Sequence, residues 1–233
     1  MAIHCPSLLI LVCLFGSLAG EDLDTKAFIF PVSSNTAAVF LNASLQRPLT
    51  DVTVCLGIYT LLDRGHSLFS YVTKMKDNEL LLFKPKANQY SLYVGGTSVT
   101  FSIPEKQTSR PKWEHICMSW ESSTGLVELW LDGQPFPRMG MKKGYSISPE
   151  ASIVLGQEQD SFRGGFDIKQ SFIGELMDVY MWDRVLSPDE VDLVHKGGTL
   201  SDYLINWRSL CYEIQGYVVI KPFLKSLYRT WEP

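Results

Sequence analysis

Short segments rich in Val, Ile, Leu, Phe, Tyr and Thr recur along almost the whole chain: TVCLGIYT, SLFSYVTK, ELLLFKP, QYSLYVGG, SVTFSI, HICMSWES, LVELWLDG, SIVLGQE, ELMDVYMWD and YVVIK. Several alternate with period two, as Val127, Leu129 and Leu131 do against Glu128, Trp130 and Asp132. A strand with one face on a core reads this way. Turn residues separate the segments, notably Gly95-Gly96, Asp132-Gly133, Lys143-Gly144 and Gly164-Gly165. Strands this short and this numerous predict an all-β chain, a jelly-roll β-sandwich of two antiparallel sheets. One helix interrupts the pattern, in LSPDEVDLVHKGG. Ser187 and Glu190 can form a capping box, Pro188 suits the first helical position, and Gly197-Gly198 supplies a stop. Val191, Leu193 and Val194 give it an apolar side, so it must lie on a sheet face.

The first 20 residues hold an apolar run from Leu8 to Phe15, followed by Ser17, Ala19 and Gly20. That build predicts a secretory signal peptide cleaved after Ala19 or Gly20, and a secreted product; no Lys or Arg precedes the run, so an uncleaved anchor is the rival. No later stretch reaches the roughly 20 apolar residues of a membrane helix. Residues 21–233 then form a single domain. The ending KPFLKSLYRTWEP is expected to be a flexible tail. A formal net charge of −4, with no basic run, gives no reason to expect nucleic-acid binding.

Cys5 and Cys13 leave with the signal peptide. Cys55 and Cys117 lie in apolar, strand-like segments, which makes them the natural disulfide pair of an exported chain. Closing their loop would stabilise by about 4 kcal/mol in the chain-entropy model. Cys211 is left over and is expected to be a buried thiol, with interchain pairing as the alternative. Asn42-Ala43-Ser44 is an N-glycosylation acceptor sequence.

The stretch LGQEQDSFRGGFD gathers Glu158, Gln159, Asp160 and Asp167 around two glycines, with Gln170 just beyond. Glu158 and Asp160 project to one side of an extended segment, and the glycines let the chain double back. Far away in sequence, Asp77 and Asn78 offer a second pair of hard oxygens before the strand ELLLF. Calcium prefers six to eight oxygen ligands of these kinds. On spacing alone the calcium signal is weak, no EF-hand pattern is present, and a solvated acidic turn is the commoner reading.

The run His115-Ile116-Cys117-Met118-Ser119-Trp120-Glu121-Ser122 fits the H-x-C-x-[ST]-W-x-[ST] signature, and KAFIFP, KDNELLLF, GQEQDSFRGGFD, MWDRVLSPDE and NWRSLCYEIQG extend the likeness over nearly the whole mature chain. The sequence resembles the short pentraxins. That resemblance implies a flattened, lectin-like jelly roll assembled as a homopentamer, with two calcium ions per protomer on one face. Asp77, Asn78, Glu158, the backbone carbonyl of Gln159, and Asp160 would hold the first ion. Glu158, Asp160, Asp167 and Gln170 would hold the second. The family disulfide falls on Cys55 and Cys117.

The implied ligand pocket places aromatic side chains at Phe83 and Tyr93. The position at which phosphocholine-binding members carry an acidic residue is Ser98. Phosphoethanolamine, other phosphomonoesters and carbohydrate are therefore expected at least as readily as phosphocholine. Family positions for complement recruitment fall on Asp132 and Tyr212, where the local sequence gives no support. A glycoside hydrolase would need two carboxylates flanking a cleft, and the EQD stretch lacks an evident separate acid. The expected function is calcium-dependent pattern recognition rather than enzymatic, with an adhesive module of degenerate metal sites as the alternative.

Overall fold

A computed structural model describes residues 23–43, 45–104 and 112–224. The predicted signal peptide and the tail beyond residue 224 lie outside these residues. In chain order the strands are β1 (Lys26–Phe30), β2 (Ala38–Leu41), β3 (Asp51–Tyr59), β4 (His66–Val72), β5 (Leu80–Lys84), β6 (Gln89–Val94) and β7 (Thr97–Ser102). They continue with β8 (Glu114–Glu121), β9 (Leu126–Leu131), β10 (Gln134–Pro135), β11 (Met139–Gly140), β12 (Ser152–Leu155) and β13 (Gly174–Trp182). Helix α1 (Pro188–His195) follows, and β14 (Tyr212–Gln215) and β15 (Val219–Pro222) close the chain.

Two antiparallel sheets form the jelly roll. One is ordered β10-β9-β8-β3-β13-β1-β15, with β11 also pairing β9; the other is ordered β14-β2-β12-β4-β5-β6-β7. Their inner faces interdigitate in one apolar core containing Val54, Leu56, Ile58, Ile116, Met118 and Trp120 from the first sheet and Phe69, Tyr71, Leu80 and Leu82 from the second. Val127 and Leu129 are fully buried, as the alternation requires, and Leu131 is half-buried at the strand end.

The disulfide joins directly opposed residues of neighbouring strands. Cys55 of β3 faces Cys117 of β8, with the Cα atoms 4.1 Å apart. By alternation the pair lies on the outer face of its sheet, with Thr53. The segment leading into α1 anchors there: Thr53 Oγ1 donates to the Arg184 carbonyl at 2.7 Å and accepts from the Leu186 amide at 3.2 Å. At the helix end His195 packs 5.1 Å from His115, ring to ring, and His115 Nε2 lies 3.9 Å from the Cys117 sulfur. His115 is thus a packing residue of the disulfide region.

Helix α1 has the predicted ends. Ser187 caps the Glu190 amide, the Glu190 carboxylate accepts from the Ser187 amide, and Pro188 opens the first turn. Arg184 adds a two-pronged pair to Glu190 at 2.7 and 2.8 Å, which holds that carboxyl down to about 2. Val191 and Val194 are buried, whereas Leu193 is exposed and folds over Gly198. Leu193 therefore belongs to the helix terminus and not to the buried side expected of it.

Cys211 corrects a second expectation. It is exposed, because it precedes the edge strand β14 and stands outside the core. Its carbonyl accepts from the Asn42 amide at 2.9 Å, and its sulfur from Asn42 Nδ2 at 3.6 Å. Asn42 is also exposed, while Ser44 of its glycosylation sequence lies outside the described residues.

Candidate functional site

While α1 covers the outer face of one sheet, the acidic loop covers the outer face of the other. A single rung of directly opposed residues crosses that second sheet from edge to edge. It runs Glu213, Phe40, Val154, Ser70, Leu81, Tyr93 and Ser98. Every residue on this rung points away from the core, and the loop after β12 folds back over it.

The fold-back begins at Gly156. Its φ is +82°, and a Cβ there would stand 2.3 Å from Phe30 Cε1, so only glycine lets the chain leave β12 in this direction. Gln157 then ties the loop down, its Nε2 donating to the carbonyls of Ser34 at 2.7 Å and Ala37 at 2.8 Å. The Gln159 side chain is committed inward. Its Nε2 donates to the carbonyls of Ser70 at 3.1 Å and Ser152 at 3.0 Å, and its Oε1 accepts from the Arg163 amide at 3.1 Å. Gln159 can therefore offer a ligand only its backbone carbonyl. Past Asp160 the chain makes a tight turn closed by reciprocal backbone bonds between Ser161 and Gly164, at 3.2 and 3.0 Å.

The second stretch, between β4 and β5, is pinned to the β6–β7 hairpin. Gly96 donates to the Asn78 carbonyl at 3.0 Å and Gly95 to the Glu79 carbonyl at 2.9 Å. Glu79 turns inward, where its carboxylate accepts from Tyr145 Oη and the Ser148 amide, each at 2.7 Å. That leaves Asp77 exposed and Asn78 half-buried on the side of Glu158.

Glu158 is the point at which the two stretches meet. Its carboxyl is pushed above the usual carboxylate range, first by burial and then by the Asp160 charge, with Asp77 adding a smaller push. Side-chain hydrogen bonds from Asn78 and Gln170 oppose that shift. Oδ1 of Asn78 is itself buried and accepts no hydrogen bond among the described residues. A buried carboxylate crowded by like charges beside an amide oxygen with no donor is a donor set that fits a hard cation. Asp77, Asn78, Glu158, Asp160 and Gln170 are thus brought together. Asp167 stands apart in its commitments: it is exposed and caps a short 3-10 turn, Ile168–Gln170, accepting from the Lys169 amide at 2.9 Å.

The carboxylates are not drawn into a tight knot. Among the described residues, the grouping of three potential ligand atoms within 4.8 Å is Cys55, His115 and Cys117, and both of its sulfurs are already in the disulfide. A metal there is excluded by the covalent bond.

Phe83 and Tyr93 lie diagonally across β5 and β6 on the same outer face as Ser70, both half-buried. Ser98 is exposed and opposite Tyr93. Gly65 makes room for the Phe83 ring, since a Cβ there would be 3.2 Å from its Cζ. Asp132 accepts from the His115 amide at 2.9 Å and pairs with Lys112, while Tyr212 sits edge-on to Phe28 at 5.0 Å. Gly156, Gln157 and Ser70 carry the loop but are not among the expected ligands; the Gly-Gln pair after SIVL was the available signal.

The model of the Pentaxin family matches residues 26–222. This chain is a pentraxin. It is 50% identical to the C-reactive protein of Sus scrofa, covering 93% of this chain and 96% of that one. It is likewise 50% identical to the serum amyloid P-component of Bos taurus, covering 92% and 95%. Among solved structures, the native heptameric SAP-like pentraxin from Limulus polyphemus superposes with a TM-score of 0.78 at 25% identity, covering 86% of this chain and 96% of that one. Pentraxins of this type are binding proteins and not enzymes, which removes the glycoside hydrolase alternative. Among the described residues no helix is long and apolar enough to cross a membrane.

Proposed function

We propose that this pentraxin is a secreted, calcium-dependent pattern-recognition protein. The observation that carries the reading is the convergence of Asp77–Asn78 with Glu158, Asp160 and Gln170 around a buried, charge-crowded carboxylate. One calcium ion would take Asp77, Asn78, Glu158, the Gln159 carbonyl and Asp160. A second would take Glu158, Asp160, Asp167 and Gln170. Calcium supplies positive charge and open coordination positions, which accept the oxygens of a phosphate or a sugar.

The ligand is a phosphomonoester or a carbohydrate on a microbial or damaged-cell surface. Phe83 and Tyr93 offer an apolar wall beside the ions. With Ser98 in place of a carboxylate, nothing at that position would select the quaternary amine of phosphocholine over the amine of phosphoethanolamine. Protomers assembled as a ring, five by family resemblance, would present their sites on one face and convert weak contacts into avidity of about 10²–10⁴. The heptameric Limulus relative makes ring size a quantity to be measured.

Retention on a phosphoethanolamine matrix tests the proposal. Wild-type protein should be held in calcium and released by chelator, and Glu158→Gln should pass through unretained. Equal retention of the variant would refute the site.

A further inference from the structure

The turn that closes the acidic loop carries an unusual residue for its backbone. Arg163 has φ +64°, in the left-handed region where a side chain is disfavoured and glycine is the default. Glycine follows immediately, at Gly164 and Gly165, so the chain places an arginine at a strained position beside two residues suited to it. Its side chain accounts for the choice. The guanidinium lies 4.4 Å from the centroid of the Phe40 ring, and Nη2 is 3.2 Å from Glu213 Oε2. Phe40 and Glu213 are directly opposed on β2 and β14. They form a two-residue receptor on the sheet: an aromatic face for the planar cation and a carboxylate for its charge. Phe166, from the far side of the same loop, packs against Phe40 with ring centroids 6.3 Å apart. The Arg163 amide in turn donates to Gln159 Oε1, and Gln159 is the residue whose backbone is offered to the ion.

We propose that Arg163 is a positioning residue for calcium. It clasps the 159–167 loop onto the Phe40–Glu213 pair and so holds the Gln159 carbonyl and Asp160 in the arrangement that an ion requires. This rests on the calcium reading above. A preorganised loop loses less conformational entropy on binding, so the clasp raises affinity without contributing a ligand atom.

The test combines calcium calorimetry with amide hydrogen exchange of residues 159–167 in chelator, on the full-length protein. The variants are Arg163→Gln, Arg163→Lys and Glu213→Gln, with Glu158→Gln as the site control. Removing one exposed ion pair and one cation–π contact predicts calcium affinity weaker by roughly three- to tenfold in Arg163→Gln. Loop exchange should accelerate in that variant with no change in global unfolding temperature. Arg163→Lys, which keeps the charge for Glu213 but loses the planar face on Phe40, should recover only part of the affinity, and Glu213→Gln should lose part of it. Unchanged affinity in Arg163→Gln, with Glu158→Gln abolishing binding, would overturn the clasp. If Glu158→Gln retains calcium, the site reading fails instead; exchange in chelator then decides the clasp alone, and an unaccelerated loop overturns it.

Discussion

Glu158 and Asn78 come from loops 80 positions apart, yet the Asn78 side chain reaches the Glu158 carboxyl closely enough to oppose the upward push of burial on its pKa. Two sheet-borne constraints bring them together. Asn78 is pinned by the β6–β7 hairpin through Gly96, and Glu158 is delivered by the fold-back at Gly156. The site is assembled by strand order, and no local motif contains it.

Gly156→Ala tests that delivery. The new methyl would stand 2.3 Å from a buried Phe30 that itself packs edge-on against Phe172 at 5.6 Å, on a backbone with φ +82°. Strain and overpacking together predict a loss of about 3 kcal/mol. Denaturant unfolding measures it, and calcium affinity should fall with it because the loop starts at this residue.

His66 predicts a pH dependence. It is buried in β4, its Nδ1 bonds the Arg64 carbonyl at 2.8 Å, and burial lowers its pKa from 6.5 to about 4, with the Lys84 and Arg64 charges adding to the shift. The folded protein therefore keeps His66 neutral where the unfolded chain takes up a proton. Its contribution is intact above pH 6.5 and is lost as pH falls towards 4, amounting to about 3 kcal/mol by linkage. In His66→Gln that part of the acid destabilisation should disappear when unfolding free energies are compared between pH 7 and pH 4.

The Cys55–Cys117 bond closes a separation of 62 residues between adjacent strands. Replacing both cysteines by alanine should lower stability by about 4 kcal/mol through the freed unfolded chain. Equilibrium unfolding gives the value directly. The fold should persist, since β3 and β8 remain paired along their full length.

Much of the fold was legible in the sequence because strands buried on one face must alternate and turns must recruit glycine. The strand segments around Cys55, Cys117 and Val127, and the capping box at Ser187 and Glu190, all follow from local chemistry. A cysteine in LCYEIQ reads as core, and only the position of β14 at the sheet edge exposes Cys211. The oxygens at Asp77, Asn78, Glu158 and Asp160 were visible as residue types, but their meeting is a property of topology. The inward commitment of Glu79 and of the Gln159 amide could not be read at all, because each depends on partners far away in sequence, Tyr145 and Ser148 for the one and Ser70 for the other.

Calcium titration by calorimetry, on wild-type protein and on Glu158→Gln, tests the central claim most directly. The account predicts two ions per protomer for the wild type, with dissociation constants of about 0.1–1 mM, and no saturable binding in the variant, since Glu158 serves both ions. No binding by the wild type, or the same isotherm for both proteins, would contradict it.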